Sequence, residues 1–178
     1  THASMQKNGN EAQRTAVIYY DDDGNVGRLS YDDLLDVSDR AAAQLIEHVR
    51  IRSKDSSANE SSRVVAIIME KGWEQVAAVL AVHRLQCAYL PMDFKSWSEH
   101  RIRQVLELSE AIAVYTQPHL LPLLSSMGLI DVPIIAINRD LPEASSDQFE
   151  AIKNLPRCDP FDVGYLIYTS GSTGVPKG

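Results

Sequence analysis

The residues of this chain that can do chemistry lie mostly in one run, Tyr168-Thr169-Ser170-Gly171-Ser172-Thr173-Gly174-Val175-Pro176-Lys177-Gly178. Glycine lets a backbone pass close to a ligand and reaches the positive φ values that a tight loop demands. Successive N–H groups in such a loop converge on an anion, and the hydroxyls of Thr169, Ser170, Ser172 and Thr173 add donors. Lys177 supplies a mobile positive charge suited to phosphate oxygens. Just upstream, Val163 to Tyr168 is apolar and rich in branched and aromatic residues, which predicts a buried strand. A strand, a hydroxyl-rich glycine loop and a lysine, in that order, predict a site for the phosphates of a nucleoside triphosphate.

Other motifs with glycine-rich loops do not fit. No Gly-Lys-Ser/Thr opens a helix, so this is not a Walker loop, and no Gly-x-Gly-x-x-Gly is present. There is no Gly-x-Ser-x-Gly for a hydrolase nucleophile elbow. A flexible Gly/Ser linker has similar composition, but a linker has no use for the strand before it or the Pro-Lys-Gly after it.

The elements that must position this loop alternate along the chain. Thr15–Tyr20 is predicted as a strand, Asp23-Gly24 as a hairpin turn, and Gly27–Ser30 as the partner strand. The acidic run at Asp21 could suggest calcium, but its glycine comes too early for an EF-hand loop, so a turn is expected. Ser30 and Asp33 form a start like a capping box, and Leu34, Val37, Ala41, Leu45 and Val49 mark the apolar stripe of the helix that follows. Arg52 to Ser62 is polar and aperiodic and predicts an exposed loop. Strands are predicted at Val64–Met69, Cys87–Met92, Ile112–Thr116 and Pro133–Ile137. Helices are predicted at Trp73–Leu85, Ser98–Leu108, Pro118–Met127 and, more weakly patterned, within Ser146–Asn154. Strands separated by helix-length segments predict an α/β fold: a mostly parallel sheet with helices on both faces, preceded by a β-hairpin. Ligands of such sheets bind at the carboxyl ends of the strands, where the loop after Tyr168 begins.

Composition limits the function classes. The 178 residues are 44% hydrophobic and 23% charged, enough for one modest core. A net charge of −7 argues against nucleic acid as a partner. No apolar run approaches the roughly 20 residues that cross a bilayer, so no membrane partner is expected. Thr1 to Ala16 is polar and lacks a signal-peptide core, and Cys87 and Cys158 form no CxxC pair. A reducing, cytoplasmic setting is the expectation.

Four segments carry a family resemblance. The loop at 168–178 resembles, nearly position for position, the phosphate-loop signature of the adenylate-forming (AMP-binding) superfamily. Leu29-Ser30-Tyr31-Asp32-Asp33-Leu34 resembles that family's first core motif, and Ala88-Tyr89-Leu90-Pro91-Met92-Asp93 its second. Met69-Glu70-Lys71-Gly72-Trp73-Glu74-Gln75 is similar to the nonribosomal peptide synthetase branch. The resemblance runs from about Ala16 to Gly178, and only the loop motif is highly specific. Two departures concern turns: Gln86 and Cys87 stand where the family has glycines, and Asp93-Phe94-Lys95-Ser96-Trp97 replaces Asp-Pro-x-x-Pro.

The resemblance implies an ATP-dependent ligase. A carboxylate, here of an amino or other carboxylic acid, attacks the α-phosphorus of Mg-ATP and releases pyrophosphate. The acyl group then passes to the phosphopantetheine thiol of a carrier protein domain. On this reading Thr169, Ser170, Gly171, Ser172, Thr173 and Gly174 wrap the leaving pyrophosphate and Lys177 neutralises its charge. The resemblance also places the acid pocket, the Mg2+-ligating Glu and the catalytic C-terminal Lys beyond Gly178. Residues 1–14 are thus expected to be a polar N-terminal segment, and 15–178 an incomplete AMP-binding domain, inactive alone. An acyl-CoA synthetase-like ligase and a truncated, non-catalytic ATP-binding or interaction module are the alternatives.

Other residues receive plainer expectations. His48, His83 and His119 are expected to be ordinary surface or satisfied histidines, and Trp73 and Trp97 to be packing residues. Asp93 is expected to cap a turn, and Lys71 and Arg101 have no assigned role.

Overall fold

The computed structural model describes residues 14–21, 23–53, 63–128, 132–155, 160–169 and 176–178. Strands β1 (Thr15–Tyr20) and β2 (Val26–Ser30) pair antiparallel, with Tyr19 opposite Gly27 and Tyr20 opposite Val26. Their turn is closed by Asp21, whose carboxylate accepts the amides of Asp23 and Asn25 at 3.1 and 2.7 Å. Gly24 takes φ +81°, a conformation open to glycine. The Asp21 carboxylate is therefore spent on the turn's backbone, as the turn reading requires.

Helix α1 (Tyr31–Ser53) starts at the expected cap. The Ser30 hydroxyl accepts the Asp33 amide at 3.1 Å, and Asp33 Oδ2 accepts the Ser30 amide at 3.1 Å and its hydroxyl proton at 2.6 Å. Leu34, Val37, Ala41, Leu45 and Val49 are all buried, so the predicted stripe is the packed face. The helix includes Arg52 and Ser53, which the sequence pattern assigned to a loop; 54–62 lie outside the described residues.

The second sheet holds β3 (Val64–Ile68), β4 (Ala88–Met92), β5 (Ala113–Thr116) and β6 (Ile134–Ala136) in the order β4-β3-β5-β6, all parallel. Helix α2 (Trp73–Arg84) joins β3 to β4, and α3 (Glu99–Leu108) joins β4 to β5. The predicted Pro118–Met127 helix is a 3-10 turn at Pro118–Leu120 followed by α4 (Leu121–Ser126). Helix α5 (Ser146–Lys153) has a complete capping box between Ser145 and Gln148.

Alternation along β3 sorts the two cores. Val65 and Ile67 join residues of α1, α2 and α5, whereas Val64, Ala66 and Ile68 join residues of α3 and α4. All five are buried, which explains why β3 reads as an unbroken apolar run.

The segment after α5 departs from expectation. Residues 163–168 form no regular strand; they run parallel to β4 through a single bridge, Tyr89 to Tyr165. The Tyr89 amide donates to Gly164 O at 3.2 Å and the Leu166 amide to Tyr89 O at 3.0 Å. Leu166 and Tyr168 pack on the α3 side, but Val163, Tyr165 and Ile167 are 45%, 56% and 58% exposed. The physical reason is that an apolar run calls for cover on both faces, and the described residues cover one.

Candidate functional site

The site is built at the carboxyl edge of the parallel sheet, where β3, β4 and the 163–168 segment all end. Thr169 and Lys177 form an antiparallel bridge there. The Thr169 amide donates to Lys177 O at 2.8 Å and the Lys177 amide donates to Thr169 O at 3.1 Å. The Thr169 hydroxyl also reaches Lys177 O, at 3.4 Å. Both side chains are exposed, whereas Pro176 between them and the loop is buried. Of the nominated phosphate ligands, the structure thus brings Thr169 and Lys177 together. Ser170, Gly171, Ser172, Thr173 and Gly174 lie outside the described residues.

A groove of about 620 Å³ opens on the same edge, lined among others by Lys71, Gln75, Phe94 and Trp97. Its walls are fixed from two strands. At the end of β3, the Glu70 amide donates to Gln117 Oε1 at 2.8 Å, and Gln117 is buried at the end of β5. At the end of β4, Asp93 caps its own turn: Oδ1 accepts the Lys95 amide at 3.0 Å and Oδ2 the Ser96 hydroxyl at 2.7 Å. Those bonds, the Ser96 hydroxyl first, hold the Asp93 carboxyl below its ordinary pKa. Lys95 pairs with Glu70 at 3.0 Å across the groove. Asp93 thus has the turn-capping role expected of it.

Trp73 is buried against Tyr19, with ring centroids 6.3 Å apart, and the Arg139 guanidinium lies over the Trp73 ring, 5.6 Å from its centroid. Trp97 carries the Arg101 guanidinium at 4.5 Å. Both tryptophans are thus committed to packing. His83 meets the Tyr89 ring edge-on at 5.6 Å. Among the described residues no group of three or more His, Cys, Asp or Glu is placed to hold a metal ion, and no helix is long and apolar enough to cross a membrane. Cys87 is buried, and Cys158 lies outside the described residues.

With the loop's neck at the carboxyl edge and both core motifs in place on α1 and β4, the chain can be compared with known proteins. The family model for AMP-binding enzymes matches residues 5–178. This chain belongs to the AMP-binding enzyme family. It is 35% identical over 170 residues to phosphinothricin tripeptide synthetase PhsB of Streptomyces viridochromogenes, covering 94% of this chain and 13% of that protein. With tyrocidine synthase 3 of Brevibacillus parabrevis it shares 38% identity over 117 residues, 65% of this chain and 2% of the synthase. It thus spans a small part of the curated relatives it matches. Among solved structures, a nonribosomal peptide synthetase in its AMPPNP-bound form matches with TM-score 0.61 and 31% identity, over 81% of this chain and 14% of that one. The McyG A-PCP structure complexed with phenylalanyl-adenylate shares the fold, with TM-score 0.66 and 20% identity over 90% of this chain and 25% of that one.

Some features of this sheet edge have no signature in the sequence. Gln117 binds a backbone amide far away in sequence, a contact with no local signature. Lys71 and Lys95 meet in one groove only because β3 and β4 are neighbours.

Proposed function

We propose that this chain supplies the ATP-phosphate-binding part of an adenylating ligase that activates an amino acid as its acyl-AMP and hands it to a phosphopantetheine thiol on a carrier domain. The observation that carries the reading is the Thr169–Lys177 bridge, which sets the ends of a hydroxyl- and glycine-rich loop at the carboxyl edge of a parallel sheet. Membership of the AMP-binding family and similarity to peptide synthetases support it.

In the reaction, a carboxylate oxygen bonds to the α-phosphorus of ATP and the bond from that phosphorus to the pyrophosphate oxygen breaks. Charge builds on the departing pyrophosphate. Lys177 is the cation offered to it, and Thr169 with the hydroxyls and amides of 170–174 are the donors proposed to wrap it.

The test is amino-acid-dependent exchange of labelled pyrophosphate into ATP by the full-length protein that carries this chain. Exchange driven by one or a few amino acids, reduced at least about tenfold by Lys177→Ala, is the expected result. Exchange that Lys177→Ala leaves intact would remove Lys177 from the site, and exchange driven only by fatty acids would favour the acyl-CoA ligase alternative.

A further inference from the structure

We propose that the amino end of helix α2 is a phosphate-binding site of its own, built from the uncapped amides of its first turn, the side-chain amide of Gln117 and the ammonium of Lys71. A phosphate group enters in place of the Glu74 carboxylate, which covers the site in the structure. The inference stands apart from the function proposed above and uses none of the residues assigned there.

Topology puts the site where a parallel sheet opens. In the order β4-β3-β5-β6 the chain leaves β3 through α2 for β4 on one side, and β5 lies on the other. The winding therefore reverses between β3 and β5. Ligands of open α/β sheets bind in the crevice at the carboxyl ends of such a strand pair. Here Gln117, just past β5, meets Glu70, Lys71 and Gly72, just past β3.

Three kinds of donor at that crevice lack an acceptor. Gly72 is the N-cap of α2 and supplies no side-chain acceptor, so the amides of the first turn are uncapped. Gln117 is only 5% exposed, and its Oε1 is taken by the Glu70 amide, which leaves Nε2 as the free donor. That Nε2 stands 3.4 Å from where a Cβ on Gly72 would lie, aimed at the helix end. It finds no hydrogen-bond partner among the described residues. Lys71 adjoins it, exposed and without an ion pair among the described residues. A cation beside a helix amino end opposes the macrodipole unless an anion lies between them.

An anion is already drawn to the place. The Glu74 carboxylate folds back over Gly72 and fills the space that a side chain there would take. It is the far end of a flexible side chain, so an incoming ligand displaces it by rotation alone. The acids of the groove offer no further opposition: Glu70 is paired with Lys95 at 3.0 Å, and Asp93 caps its own turn. Lys71 and Gln75 both line the groove, which opens a path from solvent. A phosphate group carries more charge and more acceptor oxygens than a carboxylate. It therefore serves the helix amides, Nε2 and Lys71 at once.

The experiment is a titration of the isotope-labelled wild-type chain with inorganic phosphate, followed by NMR at constant ionic strength. The Gln117 side-chain amide and the Glu74 and Gln75 backbone amides are expected to shift together and saturate at about millimolar phosphate. Lys71→Ala, at an exposed position, should weaken binding about fivefold. Glu74→Gln should tighten it about threefold, because the internal competitor loses its charge. Gly72→Ser should abolish it. The backbone at Gly72 is extended, with φ −174°, so serine fits and its hydroxyl caps the helix itself. The same variant should raise the urea midpoint, which separates lost binding from unfolding. Absence of saturable shifts at Gln117 in both the wild type and Glu74→Gln overturns the site. So does phosphate binding that Gly72→Ser leaves intact, or shifts at Thr169 and Lys177 in place of those at Gln117. An equal response to acetate overturns the assignment to phosphate.

Discussion

Gln117 and Glu70 are joined across two strands: the side-chain carbonyl at the end of β5 accepts the backbone amide just past β3, at 2.8 Å. Next to it the Thr116 hydroxyl donates to Ile68 O at 2.8 Å, so β5 secures the exit of β3 twice. The loop held in this way carries Glu70 to its ion pair with Lys95 and places Lys71 in the groove. The carboxyl edge of the sheet is therefore fixed here by neutral hydrogen bonds rather than by surface ion pairs, which contribute little when exposed.

Gln117→Ala is expected to cost about 1–3 kcal/mol, because it leaves a partly buried amide without an acceptor. Urea denaturation gives the total. Hydrogen exchange gives the location: the Glu70 amide should lose its protection selectively. A variant that is destabilised with Glu70 still protected would show that the amide has another acceptor.

The Ser30–Asp33 box sets the acid limb of stability. The Ser30 hydroxyl, and then its amide, hold the Asp33 carboxyl below its ordinary value of 3.8. A depressed folded pKa means that the unfolded chain takes up the proton first, so this contribution is complete above pH 3.8 and is lost as pH falls below it. Asp21 and Asp93, bonded to their own turns, act in the same direction. Ser30→Ala should cost about 1 kcal/mol near neutral pH, and the gap from wild type should narrow as Asp33 is protonated. A gap that stays constant down to low pH would separate the cap from Asp33.

Most of this architecture was legible because local and global signals coincide. The α1 stripe, the cap at Ser30 and the apolar run of β3 each demand the packing that they receive. Val163–Tyr168 was misread because hydrophobicity states that a segment wants cover, not where the cover comes from; Leu166 and Tyr168 find it and Tyr165 does not. Thr169 and Lys177 are legible as residue types but not as a ladder rung. Gln117 was invisible, since its partner is a backbone amide 47 positions away.

Gln86 occupies a glycine's position. Helix α2 ends with the Gln86 amide donating to His83 O at 3.0 Å and the Cys87 amide to Val82 O at 3.1 Å, a Schellman closure. That closure needs a left-handed residue, and Gln86 takes φ +56°. Gly128, just past α4, takes φ +65° with its amide on Ser125 O at 3.1 Å. Gln86→Gly relieves the left-handed strain of about 1–2 kcal/mol and returns part of it as chain entropy in the unfolded state. A net gain of about 0.5–1 kcal/mol is expected, read as a higher urea midpoint at constant slope. A lower midpoint would mean that the Gln86 side chain contributes more than its backbone costs.

Tyr115 sets the alkaline limb. Its hydroxyl is fully buried between β5 and α1 and donates to Ala41 O at 2.7 Å. Burial, with a smaller push from Cys87, raises its pKa well above the ordinary 10.0. The folded chain thus keeps a proton that the unfolded chain releases, and stability falls as pH rises past 10.0. Tyr168, raised more modestly by burial, adds to the same slope. Tyr115→Phe should lose about 1 kcal/mol near about pH 8, where the hydrogen bond is missing and ionisation is not yet at issue. Near about pH 11 the order should tighten or reverse, because the phenylalanine variant has no buried proton to defend. Parallel urea melts at the two pH values decide the matter: curves that fall by equal amounts in both proteins would assign the alkaline loss to residues other than Tyr115.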